Sequence, residues 1–157
     1  MDEIYLTQEG YDKLFQELEH LKKVKRRELS KRVAEARAQG DLSENAEYDA
    51  AKEAQALLER KVSELEEKLA KAQIISKDDI SLDKVNIGVK VHLQDLETKE
   101  EFYYTILSDE EADFEKDQIG VNSPVAKGLL GKKKGEEAEI QAPRGIFRYK
   151  VLDISLP

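Results

Sequence analysis

Apolar residues in the first half of the chain keep helical spacing. Positions 51, 55, 58, 62, 65, 69 and 72 alternate intervals of four and three, with only Gln55 polar, which is the seam of a two-stranded coiled coil. Upstream, Tyr11, Phe15, Leu18, Leu29 and Val33 supply the counterpart. Pairing Val33 with Ala51, Leu18 with Leu65, Phe15 with Leu69 and Tyr11 with Ala72 gives four pairs that share one centre near residue 42. Two antiparallel helices folded about an apex produce such a centre. The first shaft, residues 8–38, would be roughly 45 Å long at about 1.5 Å per helical residue. Between Val24 and Leu29 charged residues fill the seam positions, so looser packing or a local register shift is expected there.

Thr7 can cap the first shaft, and Leu6 can act as a staple residue against Tyr11. Gly40 can take the left-handed backbone that ends that shaft, and Asp41 or Ser43 can cap the second. The second shaft is expected to run to about Ile74, and the polar stretch 76–84 reads as a linker. Beyond it the period falls to two. Val89, Val91 and Leu93 alternate with Lys90, His92 and Gln94, a half-buried strand. Further strands are expected at 101–107, 119–121, 137–141 and 146–154. A short helix at 124–130 follows the Ser123-Pro124 start signal and stops at Gly131. The fold class is α+β: an N-terminal antiparallel coiled-coil hairpin over 1–75 with its apex near 40–48, then a small, mostly antiparallel sheet with one short helix over 85–157.

Composition sharpens this picture. Of the 157 residues, 39% are hydrophobic and 38% charged, a balance that suits an elongated, surface-rich molecule. No run of 18 apolar residues occurs, and Met1-Asp-Glu-Ile lacks the features of an export signal, so a cytoplasmic protein is expected. Zero cysteines exclude disulfides, zinc ribbons and thiol nucleophiles, and His20 and His92 alone make an imidazole metal site improbable. The net charge of -8 argues against indiscriminate nucleic-acid binding, yet it is unevenly spread. Lys22, Lys23, Lys25, Arg26, Arg27, Lys31, Arg32 and Arg37 face only Glu28 and Glu35, a local excess of +6. The apex, by contrast, carries Asp41, Glu44, Glu47, Asp49 and Glu53 against Lys52.

Asp41 and Glu44 are three residues apart, so on a helical turn both carboxylates project to one side. Such a pair suits magnesium, which takes one or two protein carboxylates and completes its shell with water and phosphate oxygens. Two carboxylates hold the ion weakly, so the other ligands would come from a second macromolecule. The same spacing is also a capping box, with Asp41 as cap and Glu44 reaching back; Ser43 as rival cap would leave Asp41 free. The basic strip is either a solvated helix face or a surface that positions a phosphate backbone without reading bases. Phe102, Tyr103, Tyr104, Phe114, Phe147 and Tyr149 are expected to fill the core and one rim of the sheet. Lys132, Lys133 and Lys134 read as an exposed turn. No phosphate loop, nucleophile elbow or catalytic triad can be assembled.

The run Gly40-Asp-Leu-Ser-Glu-Asn-Ala-Glu-Tyr48, with Ala50-Ala-Lys-Glu53 and Gln55 after it, resembles the tip motif of the bacterial Gre family of transcript cleavage factors. Leu6-Thr-x-x-Gly10-x-x-Lys13-Leu14-x-x-Glu17-Leu18-x-x-Leu21 is similar to the family's opening. Glu111-Ala112-Asp113, Ser123-Pro124-Val-Ala126, Leu129-Leu130-Gly131-Lys132 and Pro143-x-Gly145 extend the resemblance over the whole chain.

The resemblance implies a C-terminal FKBP-like domain that docks on RNA polymerase, here through Ser123, Pro124, Leu129 and Leu130. It also implies a hairpin that enters the polymerase secondary channel. Asp41 and Glu44 would then help hold a magnesium ion shared with the polymerase active site, where the polymerase cuts the 3' end of backtracked nascent RNA. The basic strip would lie against RNA or the channel wall. The chain would be a non-enzymatic cofactor, monomeric in solution, with no cofactor of its own. Two alternatives are an inhibitor that occupies the channel without promoting cleavage, and a prolyl isomerase or chaperone with a helical arm. Gly128 departs from the family pattern, where a bulkier residue is usual, and is expected to loosen its helix.

Overall fold

The spacing of three and four becomes two helical shafts in the structure, a computed structural model that describes residues 3–40 and 45–157. The first shaft is helical from end to end: α1 (Gln8–His20), a π-helical turn (Leu21–Lys25) and α2 (Arg26–Ala38). The second is α3 (Ala46–Lys71). Leu18, Leu21, Leu58, Val62 and Leu65 form the buried seam, with Leu14, Leu29 and Leu69 packed on it. Toward the apex it continues through Val33, Ala36 and Ala51.

The α3 side keeps the expected rhythm, but the α1 side uses the other frame. Leu14, not Phe15, packs into the seam, and Phe15 is 47% exposed. Both frames have four-three spacing over 11–21, and only the one through Leu14, Leu18 and Leu21 supplies three leucines in succession.

A register shift of the kind expected between Val24 and Leu29 is present, but it starts earlier, in the π-helical turn Leu21–Lys25. Arg26 N–H donates to the Leu21 carbonyl, five residues back, where an α-helix would reach back four. Unshifted, the seam after Leu21 would fall on Lys25, Glu28, Arg32 and Glu35. One extra residue in the turn moves it to Arg26, Leu29, Val33 and Ala36, which the sequence can bury.

The second shaft ends earlier than expected. Ala72 has an extended backbone, and β2 (Ala72–Ile74) pairs with β1 (Ile4–Leu6) in a two-stranded sheet. Leu6 is thus a fully buried strand residue whose carbonyl accepts from Ile75 N–H at 2.8 Å. Contacts divide the chain into two units, Glu9–Ala72 and a second made of Glu3–Gln8 with Gln73–Pro157.

In the second unit, β3 (Lys90–Asp95), β4 (Glu101–Leu107), β5 (Gln118–Gly120), β6 (Glu137–Ala142) and β7 (Gly145–Ser155) form a sheet in the order β5-β4-β3-β7-β6. All neighbours are antiparallel except β4 and β5, which run parallel. The connection between those two carries a 3-10 turn at Phe114–Lys116, and Asp117 takes a left-handed backbone just before β5. The sheet is therefore mixed.

Alternation sends Val91, Leu93, Ile106, Ile140 and Val151 inward, where Leu129 of α4 (Pro124–Leu129) meets them. The stretch 76–84 is more than a bare linker, since Lys77–Asp79 make a 3-10 turn and Ile80 packs on this core.

Gly128 does not loosen α4. A β-carbon there would stand 2.5 Å from Ile140 Cδ1 and 2.9 Å from the Glu139 carbonyl oxygen. Its absence is what lets helix and strand approach this closely.

Candidate functional site

The apex is built from the ends of α2 and α3. Gly40 has φ of +115°, with open space around the position of a β-carbon, so backbone conformation and not crowding demands glycine. Across the apex Asn45 is the cap of α3. Its Oδ1 accepts from Tyr48 N–H at 3.1 Å, while its Nδ2 donates to the Ala36 carbonyl at 2.6 Å. One side chain thus closes the start of α3 and ties it to the last turn of α2. The cap expected at Asp41 or Ser43 belongs to Asn45 instead. Asp41, Leu42, Ser43 and Glu44 lie outside the described residues, between Gly40 and Asn45. Glu47 and Asp49 follow in the first turn of α3, where acids favour the positive end of the helix dipole. Arg37 lies over the Tyr48 ring at 5.8 Å from its centroid, a cation–π contact that bridges the two shafts.

The eight cations do not form one stripe. At about 3.6 residues per turn, Arg27 and Lys31 point away from the seam, while Arg32 and Arg37 flank it on opposite sides. Several are neutralised locally. Lys22 pairs with Glu66 at 3.5 Å, Lys23 with Glu19 at 2.7 Å, Lys25 with Glu28 at 3.3 Å and Lys31 with Glu35 at 4.0 Å. Arg26 makes a two-point contact with Glu59, Nε and one terminal nitrogen each donating at 2.8 Å. That hydrogen bond holds the Glu59 carboxyl below its usual range and raises the guanidinium further. Among the described residues no carboxylate pairs with Arg27, Arg32 or Arg37; Arg37 is taken up by the Tyr48 ring, which leaves Arg27 and Arg32 for a partner.

The four residues expected to dock have unequal access. Ser123 caps α4, its hydroxyl accepting from Ala126 N–H at 3.2 Å. Pro124 is exposed at the first helical position, and Leu130 is half-buried. Leu129 is 0% exposed, a core residue that no partner reaches.

Beside Ser123 lies an open depression lined by Tyr104, Phe114, Ile119, Pro124 and Val125. Asp109 stands at its rim and accepts from Asn122 N–H at 3.2 Å and Nδ2 at 2.8 Å. Gly120 makes room for that carboxylate, since a β-carbon there would fall 2.1 Å from Asp109 Oδ1. Burial, and then the charge of Asp117, pushes the Tyr104 phenol up. Phe114, 74% exposed, was expected in the core or rim. The parallel crossover that displays it at the depression leaves no local trace in the sequence.

Two family models match the chain, one described as transcription elongation factor, N-terminal, over residues 4–74, the other as transcription elongation factor, GreA/GreB, C-terminal, over residues 77–156. A helical hairpin with an acidic apex, in one chain with a curled mixed sheet, is thus matched in both parts. The chain belongs to the GreA/GreB family of transcription elongation factors.

Relatives named transcription elongation factor GreA include one from Chloroherpeton thalassium, 50% identical over 99% of this chain and 98% of its own length. Another, from Neisseria meningitidis serogroup B, is 47% identical over 98% of each chain. Among solved structures, GreA factor homolog 1 (Gfh1) of Thermus thermophilus is 28% identical, with a TM-score of 0.46 over 98% of this chain and 99% of that one.

Proposed function

We propose that this chain stimulates RNA polymerase to cleave the 3' end of backtracked nascent RNA, entering the secondary channel with its hairpin and presenting Asp41 and Glu44 at the polymerase active site. The observation that carries the reading is the cap at Asn45. With α3 closed by that side chain, neither acid is needed to start the helix, and both would be free to serve as oxygen ligands.

Two carboxylates are too few to hold magnesium alone, which fits an ion that the polymerase already grips. The ion, when shared, would stabilise the attacking and leaving oxygens of phosphoryl displacement. This chain would contribute two ligands and the orientation of its apex. Arg27 and Arg32 would lie along RNA or the channel wall. Pro124, Leu130 and the adjoining apolar depression would dock on the polymerase.

The test is a backtracked elongation complex, in which a shortened RNA 3' end should appear only when the protein is added. Asp41→Asn and Glu44→Gln should each abolish that cleavage while polymerase binding persists. Cleavage that survives in both variants refutes the assignment. Slowed synthesis without release of short RNA would make the chain a channel-occupying inhibitor instead.

A further inference from the structure

The first shaft has no buried apolar side chain between Leu21 and Leu29. Val24, in the π-helical turn, is 40% exposed. Opposite, α3 keeps Leu58, Val62 and Leu65 buried without a break. Contact across this gap includes two ion pairs. Arg26 grips Glu59 through both carboxylate oxygens at 2.8 Å, and Lys22 reaches Glu66 at 3.5 Å. All four side chains are substantially solvent-accessible.

A π turn inside an α-helix is a common origin of kinks, because its wider hydrogen-bonded loop interrupts the regular ladder. Here it coincides with the one stretch of the shaft where apolar packing lapses. We propose that Leu21–Lys25 is a bending joint created by one inserted residue, and that Arg26–Glu59 is the latch that holds it straight.

The phase of the seam supports the insertion. Four-three spacing through Leu14, Leu18 and Leu21 is resumed at Arg26, Leu29, Val33 and Ala36, displaced by a single position. Removing one residue from 22–25 brings these same four side chains onto an uninterrupted seam. The latch suits a joint, because a two-point contact fixes the rotation of the distal shaft, while exposed charges let go without leaving an unpaired group in a dry interior. The proposal concerns the shaft alone, so its failure leaves the reading of the apex untouched, and the reverse also holds.

Amide hydrogen exchange on the full chain tests it. Amides of residues 22–29 should exchange about tenfold faster than those of 14–18 and 58–65, as expected of a locally opening segment. Deleting Val24 should remove the difference. Arg26→Gln should speed exchange in that segment several-fold, and 1 M NaCl should do the same to the wild-type chain but not to the variant. Equal rates along the wild-type shaft would overturn the joint, as would a difference that survives the deletion. If the Val24 deletion does not fold, the Arg26→Gln and salt comparison decides alone: insensitivity to both removes the latch and, with it, the proposal.

Discussion

Asn45 donates to the carbonyl of Ala36 at 2.6 Å, so the start of the second shaft is fastened to the end of the first by one amide group. Asn45→Ala removes both this tie and the cap on Tyr48 N–H. The expected loss is about 1 kcal/mol, typical of a helix cap. Asn45→Asp keeps an equally good cap but cannot donate to Ala36, so its stability should fall between the two. Urea unfolding monitored by circular dichroism separates the three proteins.

The contact between Gly128 and Ile140 predicts that Gly128→Ala destabilises, against its helix propensity. Alanine gains about 1 kcal/mol within a helix, but the new methyl would meet a fully buried side chain and a backbone carbonyl. Overpacking of this kind costs about 1–3 kcal/mol. A net loss is expected, and Ile140→Val in the same chain should recover part of it. A double-mutant cycle on unfolding free energies measures the coupling.

Three glutamates paired with cations set an acid limit for the hairpin. Hydrogen bonds from Arg26, Lys23 and Lys71 hold Glu59, Glu19 and Glu67 below the usual glutamate range. Groups whose pKa is depressed on folding contribute stability that is present above the unfolded value and lost as pH falls through the folded one. Helicity should therefore become less resistant to heat as pH falls below about 4.5, the ordinary value for these groups. Glu59→Gln should flatten that dependence. The effect is small for each pair because water screens it. Thermal melts from pH 3 to 7 give the comparison.

Under the proposed function, Arg27 and Arg32 matter more than Lys23, whose charge is taken by Glu19. Replacing both arginines by glutamine should weaken stimulated RNA cleavage several-fold and reduce its dependence on salt, because fewer counterions are released on binding. Lys23→Gln should change neither. Cleavage rates at 50 and 200 mM salt provide the readout.

Legibility followed the range of the interactions that fix each element. The bounds of β4 at Glu101–Leu107 and the glycine stop after α4 could be read locally, because alternation and turn chemistry act over a few residues. The choice between Leu14 and Phe15 could not, since both fit a seam and only the partner helix decides. Three residues near the apex, Asp41, Ser43 and Asn45, are all good caps. The bond from Asn45 to Ala36 is tertiary, and no local propensity encodes it. Strands β1 and β2 are three residues each and pair across the whole hairpin, which a short window cannot detect. Gly128 looked like a flaw in a helix because the strand it accommodates lies beyond any local reading.

Thr7 extends the consequences of that long-range pairing. Its backbone N–H donates to the Glu111 carboxylate at 3.1 Å, and its hydroxyl binds the same group. The first few residues therefore supply Leu6 and Thr7 to a unit whose remaining sequence starts again at Gln73. A fragment begun at residue 76 would lack both, and assays on it would report on an incomplete fold. In genetic terms the two shafts are a cassette spliced into the body between adjacent strands, so exchange of 9–72 between homologues, keeping Glu3–Gln8 in place, is the natural way to transplant one protein's arm onto another's base.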